Sequence, residues 1–264
     1  MNTVKLSGVI ISFNEELKIE RCINSLLKVC DEVVVLDSFS KDRTCELAEK
    51  LGAKVFQHAF DGHIQQKNRA ITYAGSPYIL SLDADEELSQ ELIDSILTVK
   101  KDWTSDMYSM NRLNNYGGQW IRHGAWYPDK KLRLWDSRKG SWGGDNPHDK
   151  FIPDEGCSIA HLMGDLLHYT MDGYEDLKRQ SEKFAQISAG AMHQKGKKTG
   201  WLQIVFKTCF RFVKEYFLLL GFLDGKAGFQ IARMNAYYVW SKYKQLIGLG
   251  RGSIIFCFCF ELFF

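Results

Sequence analysis

Apolar and polar positions along the first hundred residues alternate between two periods. Val4 to Phe13 is an apolar, β-branched run that halts at Asn14-Glu15-Glu16, after which Leu17, Ile19, Cys22, Ile23, Leu26 and Leu27 recur at helical spacing. This predicts a strand, a polar loop and a helix. The pattern then returns: Glu32 to Leu36 reads as a short buried strand, 37–41 as a polar loop, and Asp42 as the N-cap of a helix closed by Gly52. A third strand is expected over Ala53 to Phe56, a helix over Gln65 to Ala74, a break at Gly75-Ser76-Pro77, and a fourth strand over Tyr78 to Leu82. Strands alternating with helices imply an α/β fold, a parallel sheet with helices on both faces.

After a helix near Ser89 to Val99 the alternation ends. Tyr108 to Asp136 reads as shorter, aromatic-rich strands around a Gly117-Gly118 turn, so the sheet is expected to become mixed. From about Asp172 the pattern is helical, with Gly173, Gly190, Gly196 and Gly200 as breaks and apolar periodicity through Leu246. The expected organisation is an α/β domain over 1–170, a helical region over 171–250 and a hydrophobic tail over 251–264.

Composition narrows the function classes. The 264 residues are 45% apolar and 25% charged, enough to bury a sizeable core. With Lys+Arg 34 against Asp+Glu 32, no nucleic-acid partner is expected. The seven cysteines are scattered without CxxC pairs, which fits reduced thiols rather than a disulfide framework or a zinc site. Residues 1–7 enter a strand directly, without the pattern of a secretory leader, so a cytoplasmic location is expected.

In parallel α/β sheets ligands bind beyond the carboxyl ends of the strands. Three such ends are acidic here: Asn14-Glu15-Glu16, Asp37-Ser38 and Asp83-Ala84-Asp85-Glu86. The last is the strongest signal. At a strand end, positions i and i+2 face one side, so Asp83 and Asp85 can share a divalent ion, or divide an ion and a ribose hydroxyl between them. An acidic turn capping the next helix is the plainer reading of the same residues. The first loop lacks the glycine-rich patterns of dinucleotide and P-loop folds, so phosphates would be neutralised by metal and side chains.

Val9-Ile10-Ile11-Ser12-Phe13-Asn14-Glu15-Glu16, 37–44, Gln66-Lys67-Asn68 and Leu82-Asp83-Ala84-Asp85-Glu86 resemble family 2 glycosyltransferases. Gly124 to Asp129, Arg133-Leu134-Trp135, Pro147-His148-Asp149, Leu167-His168-Tyr169 and Gly221 to Gly225 resemble the branch of bacterial lipopolysaccharide-core β-1,4-glucosyltransferases. The resemblance implies a GT-A (Rossmann-like) nucleotide-sugar-binding domain with a mixed sheet, and inverting transfer of a hexose, glucose first, from a UDP-sugar to a lipid-linked glycan such as lipopolysaccharide inner core. It implies that Glu15 or Glu16, Asp37, Lys67 and Asp83 bind the nucleotide sugar. Asp85 and His168 would hold Mn²⁺ or Mg²⁺, though a buried structural histidine is the rival reading of His168. The base would be Asp149 of the His148-Asp149 pair, with Asp145 as its rival.

Trp126, Tyr127 and Trp142 are aromatic faces that can stack on a sugar or pack in a core. Arg133 can pair with an acidic acceptor group or form a structural ion pair, and His148 is a further acceptor-side candidate. Other readings are transfer to another envelope polysaccharide or polyprenyl-linked glycan, and a noncatalytic membrane-associated glycan-binding protein.

The helical region has its own logic. Lys207, Arg211 and Lys214 fall at i, i+4 and i+7 within the apolar-aromatic run 201–220, with Lys195, Lys197 and Lys198 upstream. The charges interrupt the run before the ~20 apolar residues of a spanning helix. A peripheral helix on the inner face of the cytoplasmic membrane is expected, with a core helix as the alternative.

Overall fold

The computed structural model describes residues 3–145 and 148–250, without the side chains of Asp145 and His148. The expected 251–264 tail lies outside the described residues. The chain divides into two compact units: Met1–Leu113 with Asp129–Tyr169, and Asn114–Pro128 with Thr170 onward. The division is discontinuous, with 114–128 grouping with the helical unit.

In the first unit the alternation appears as β1 (Leu6–Ser12), α1 (Ile19–Leu26), β2 (Glu32–Asp37), α2 (Thr44–Lys50), β3 (Lys54–Gln57), α3 (His63–Thr72) and β4 (Tyr78–Asp83). There follow β5 (Glu86–Leu88), α4 (Gln90–Lys101), β6 (Met107–Tyr116), β7 (Gln119–Ile121, which groups with the second unit), β8 (Asp129–Asp136), the hairpin β9 (Gly140–Asp145) and β10 (His148–Pro153), and β11 (Ile159–Met171). Among the described residues the main sheet runs β3-β2-β1-β4-β8-β6-β11-β5, with β7 beside the end of β6. Strands β3, β2, β1 and β4 are parallel, and β8 then pairs antiparallel to β4. The sheet is therefore mixed, as the lost alternation predicts. The hairpin β9–β10 forms a separate two-stranded sheet.

Period-2 burial builds a core on each face of the main sheet. Leu6, Ile10, Val33, Val35, Leu80 and Leu82 point into one core with Ile19, Cys22, Ile23 and Leu26 of α1 and Leu92 and Ile96 of α4. Val9, Leu36 and Ile79 point into the other, against Ala70 of α3 and Trp135, Trp142 and Phe151. Each such apolar side chain contributes ~1.5–3 kcal/mol when fully buried. Asp42 acts one residue ahead of the helix-start residue Arg43: its Oδ1 accepts from the Thr44 backbone N–H at 3.0 Å. Ser89 caps α4, accepting from the Leu92 N–H at 3.3 Å. Gly164 in β11 sits at φ +90°, and a Cβ there would collide with the backbone at Leu92, so the approach of β11 to the start of α4 requires glycine.

The second unit contains α5 (Tyr174–Gln194), α6 (Trp201–Val213) and α7 (Gly225–Gly250). Helix α5 runs through Gly190, where a break was expected, because a lone helical glycine costs only ~1 kcal/mol and neighbouring Ala185 and Ala189 are buried. The run 201–220 is not one helix: α6 passes into a π-helical turn over Lys214–Leu218. Tyr116, Ile121, Met171, Leu177, Ile231 and Met234 form this unit's core. In the Gly221 to Gly225 motif, the Asp224 carboxylate accepts from the backbone N–H groups of Arg122 at 3.3 Å and His123 at 2.8 Å.

Candidate active site

The carboxyl end of β4 delivers Asp83, and the middle of α3 delivers Lys67 against it. Helix α3 is fixed by the fully buried Gln66, whose Nε2 donates to Ser38 Oγ and the His58 carbonyl, both at 3.1 Å. The Lys67 ammonium then lies 2.9 Å from Asp83 Oδ1, 2.8 Å from Asp149 Oδ2 and 4.4 Å from the centre of the Trp142 ring. One buried lysine joins the strand-end aspartate to the expected base. Among the described residues, Asp149 Oδ1 has no hydrogen-bond partner.

A second cation completes the arrangement. Arg133 is buried, and its Nη2 donates to Asp83 Oδ2 at 2.6 Å and to Glu86 Oε1 at 2.8 Å. Its guanidinium is thus committed to the structural ion pair rather than turned to an acceptor. Burial works against ionisation of Asp83, yet the Arg133 guanidinium and Lys67 ammonium hold its carboxyl well below the usual carboxylate range. Glu86, fully buried, also receives the Asp83 backbone N–H at 2.9 Å and lies 3.6 Å from Arg112, which pairs with Asp129 at 2.8 Å.

Asp149 rides on the hairpin. The Trp135 and Phe151 rings stack with centroids 4.1 Å apart, and Trp142 packs edge-on to Trp135 at 5.5 Å. The Asn68 side chain bonds both polar groups of the Trp142 backbone. Trp142 is therefore a core residue under the cleft whose face meets the Lys67 ammonium. Trp126 and Tyr127 belong to the second unit, where Trp126 packs edge-on to Tyr116 at 6.1 Å. The side chains of His148 and Asp145, like residues 146–147, lie outside the described residues.

Asp85, in the turn between β4 and β5, meets His168 of β11, with Nε2 to Oδ2 at 3.3 Å. Among the described residues there is no cluster of three or more metal-ligating side chains. A carboxylate plus an imidazole nevertheless fits Mn²⁺ or Mg²⁺, which take their remaining ligands from substrate phosphates and water. Asp83 instead faces two protein cations, Oδ1 toward Lys67 and Oδ2 toward Arg133, and each oxygen keeps one further acceptor site.

The nucleotide candidates on β1 and β2 divide by what their carboxylates hold. Asp37 is fully buried; Oδ1 accepts from Ser12 Oγ at 2.9 Å and Oδ2 from the Ser40 N–H at 2.7 Å, so it shapes the loop after β2. Glu16 Oε2 accepts from the Arg43 N–H at 3.1 Å, bracing the start of α2. The Glu15 carboxyl is pushed above its usual range by burial, against Lys18, with Asp85 and Asp42 adding to the rise. Sequence patterning missed the exposed rings of Phe13 and Phe39 in these same two loops, and Glu86 as an ion-pair hub.

Residues 7–154 match glycosyl transferase family 2, and this segment carries β1 through the hairpin with Lys67, Asp83, Asp85 and Asp149. The chain belongs to glycosyl transferase family 2. Its architecture is the GT-A fold, and it is a glycosyltransferase. An uncharacterized glycosyltransferase of Rickettsia bellii (strain RML369-C) is 32% identical over 246 residues, covering 89% of this chain and 83% of the relative. The lipopolysaccharide core biosynthesis glycosyltransferase LpsC of Rhizobium meliloti (strain 1021) is 24% identical over 257 residues, covering 90% and 93%. Among solved structures, S. aureus TarS 1–349 in complex with UDP aligns over 91% of each chain at 17% identity with a TM-score of 0.47.

Proposed function

We propose that this glycosyltransferase moves a hexose, glucose first, from a UDP-sugar to a hydroxyl of a lipid-linked glycan such as lipopolysaccharide inner core, by a single inverting displacement. The observation that carries this reading is the Lys67 bridge, which holds Asp149 beside the donor-side carboxylate Asp83. An acceptor hydroxyl is a poor nucleophile until its proton is taken, and a positioned carboxylate typically contributes ~10²–10⁴-fold. Asp149 Oδ2 is steered by Lys67, and Oδ1 is the atom that receives the proton. Asp83, kept ionised by Arg133 and Lys67, accepts hydrogen bonds from donor hydroxyls. Glu15 serves the nucleoside, and the rings of Phe13 and Phe39 offer faces to its base.

A divalent cation held by Asp85 and His168 would screen the charge on the departing diphosphate. The name of the Rhizobium relative supports a lipopolysaccharide acceptor.

We extend the reading to the membrane surface, on its cytoplasmic side. No helix among the described residues is long and apolar enough to cross a membrane. Leu202, Phe206, Phe210, Phe217 and Leu218 are exposed on α6 and the turn that follows, with Lys195, Lys197 and Lys198 exposed just ahead of them. The stripe expected to be basic is largely turned inward: Lys207 reaches Tyr243 Oη at 3.1 Å, and Arg211 pairs with Glu215. The outward face is thus aromatic, and the upstream lysines supply attraction to anionic headgroups.

UDP calorimetry with and without Mn²⁺, on wild type and Asp85→Ala, tests the donor site. Mn²⁺ should tighten UDP binding in the wild type only; absence of UDP binding under both conditions would overturn the assignment.

A further inference from the structure

The cleft that contains Asp149 holds more positive charge than its own carboxylates balance. It encloses about 580 Å³, and its lining includes Lys67, Arg112, Lys130, Lys131, Arg133 and Lys150. Four of these cations are engaged with protein carboxylates. Lys67 serves Asp83 and Asp149, Arg133 serves Asp83 and Glu86, and Arg112 and Lys131 share Asp129. Lys130 on β8 and Lys150 on β10 are exposed at the rim and have no carboxylate partner among the described residues. Even with Glu86 and Asp129 counted, cations outnumber carboxylates by two.

This surplus lies away from the groups assigned to the leaving diphosphate. Asp85, His168 and Glu15 are absent from the lining, which extends from Asp83 along β8 and β10 instead. A ligand entering beside Asp149 therefore meets a cationic rim. Lysine is suited to such a site because a compact ammonium on a flexible stem follows an anion without demanding fixed bidentate geometry.

We infer that the acceptor is anionic: it carries a phosphate or carboxylate near the reacting hydroxyl, and Lys130 and Lys150 receive that group. The inference rests on the reading of this cleft as the transfer site and specifies its substrate class. Acceptors without charge near the hydroxyl would leave the rim unneutralised.

The test uses the full chain, UDP-glucose and deacylated inner-core oligosaccharides prepared intact, with phosphate removed, and with carboxylates reduced to alcohols. Lys130→Gln/Lys150→Gln, two exposed sites where folding is undisturbed, should raise the acceptor KM about tenfold, while UDP affinity by calorimetry matches wild type. Raising salt from about 50 mM to about 0.5 M should weaken the wild type toward the variant. Whichever stripped oligosaccharide shows the same loss with wild type, and no further loss with the double variant, identifies the anion. Equal use of neutral and anionic acceptors, with UDP still bound, overturns the inference alone. So does a double variant that loses UDP affinity at unchanged acceptor KM, since the lysines would then serve the donor. A wild type that fails to bind UDP overturns the underlying reading.

Discussion

Asn68 clasps Trp142 by both backbone groups: Oδ1 accepts from the Trp142 N–H at 3.0 Å, and Nδ2 donates to the Trp142 carbonyl at 2.9 Å. Because the hairpin shares no ladder with the main sheet, this clasp and the stacked rings beneath it fix the height of Asp149 above the cleft. Asn68→Ala should lower stability by ~1–3 kcal/mol, through unsatisfied backbone groups, in urea titrations. It should also cut kcat up to ~10²-fold by misplacing the carboxylate. UDP affinity measured alongside should hold, since the clasp touches no donor group.

Asp149→Asn keeps the shape of the side chain and removes its capacity to take a proton. Turnover with UDP-glucose and acceptor should fall ~10²–10⁴-fold. Calorimetric UDP binding should persist, which separates loss of the base from loss of the donor site.

Arg133 ties β8 to the end of β4, and Arg133→Met leaves Glu86 buried with its principal partner gone. A loss of ~3–5 kcal/mol is expected in urea unfolding. The pH dependence has a definite sign. The Asp83 carboxyl is held below its usual range in the folded chain, so its ionised form stabilises the fold above the ordinary aspartate range, and that contribution disappears as pH falls through the folded value. Urea midpoints should hold level from about pH 7 to about pH 5, then fall for wild type as pH is lowered through and below the ordinary aspartate range, and fall more gently there for Arg133→Met.

His168→Ala removes the imidazole beside Asp85 without touching the Lys67 bridge. UDP affinity in the absence of metal should be unchanged, and the gain on adding Mn²⁺ should shrink about tenfold or more. An unchanged Mn²⁺ response would assign His168 a purely structural role.

Phe206 and Phe210 stack with centroids 6.1 Å apart on the exposed side of α6. Phe206→Ser/Phe210→Ser should reduce co-flotation with liposomes containing anionic lipid and leave thermal stability within ~1 kcal/mol, because neither ring is buried. Retained flotation would place the lipid contact elsewhere.

The parallel half of the sheet was legible because each element carries its own period and its own stop, from Asn14-Glu15-Glu16 through Asp42 to Gly75-Ser76-Pro77. The acidic end of β4 was legible for the same reason. What joins the site together was not. Lys67 and Asp149 are 82 positions apart, and Arg133 and Asp83 are 50 apart; pairing of charges across such spans leaves no local pattern. Glu86 reads in sequence as one more residue of an acidic loop, and only the arrival of β8 turns it into a buried counter-charge. Helix α5 ran past Gly190 because tertiary packing outweighs the preference of one residue.

The hairpin that carries Asp149 is a separable part. Its own antiparallel ladder is closed between β9 and β10, and its attachment to the rest of the unit is made by side chains: Asn68, Lys67, and the rings of Trp135, Trp142 and Phe151. Evolution can therefore exchange the rim of such a hairpin, Lys150 among its residues, while the anchoring contacts stay constant and no strand of the main sheet changes register. On the proposed function, an enzyme built this way can diversify what it glycosylates without re-evolving how it grips its donor.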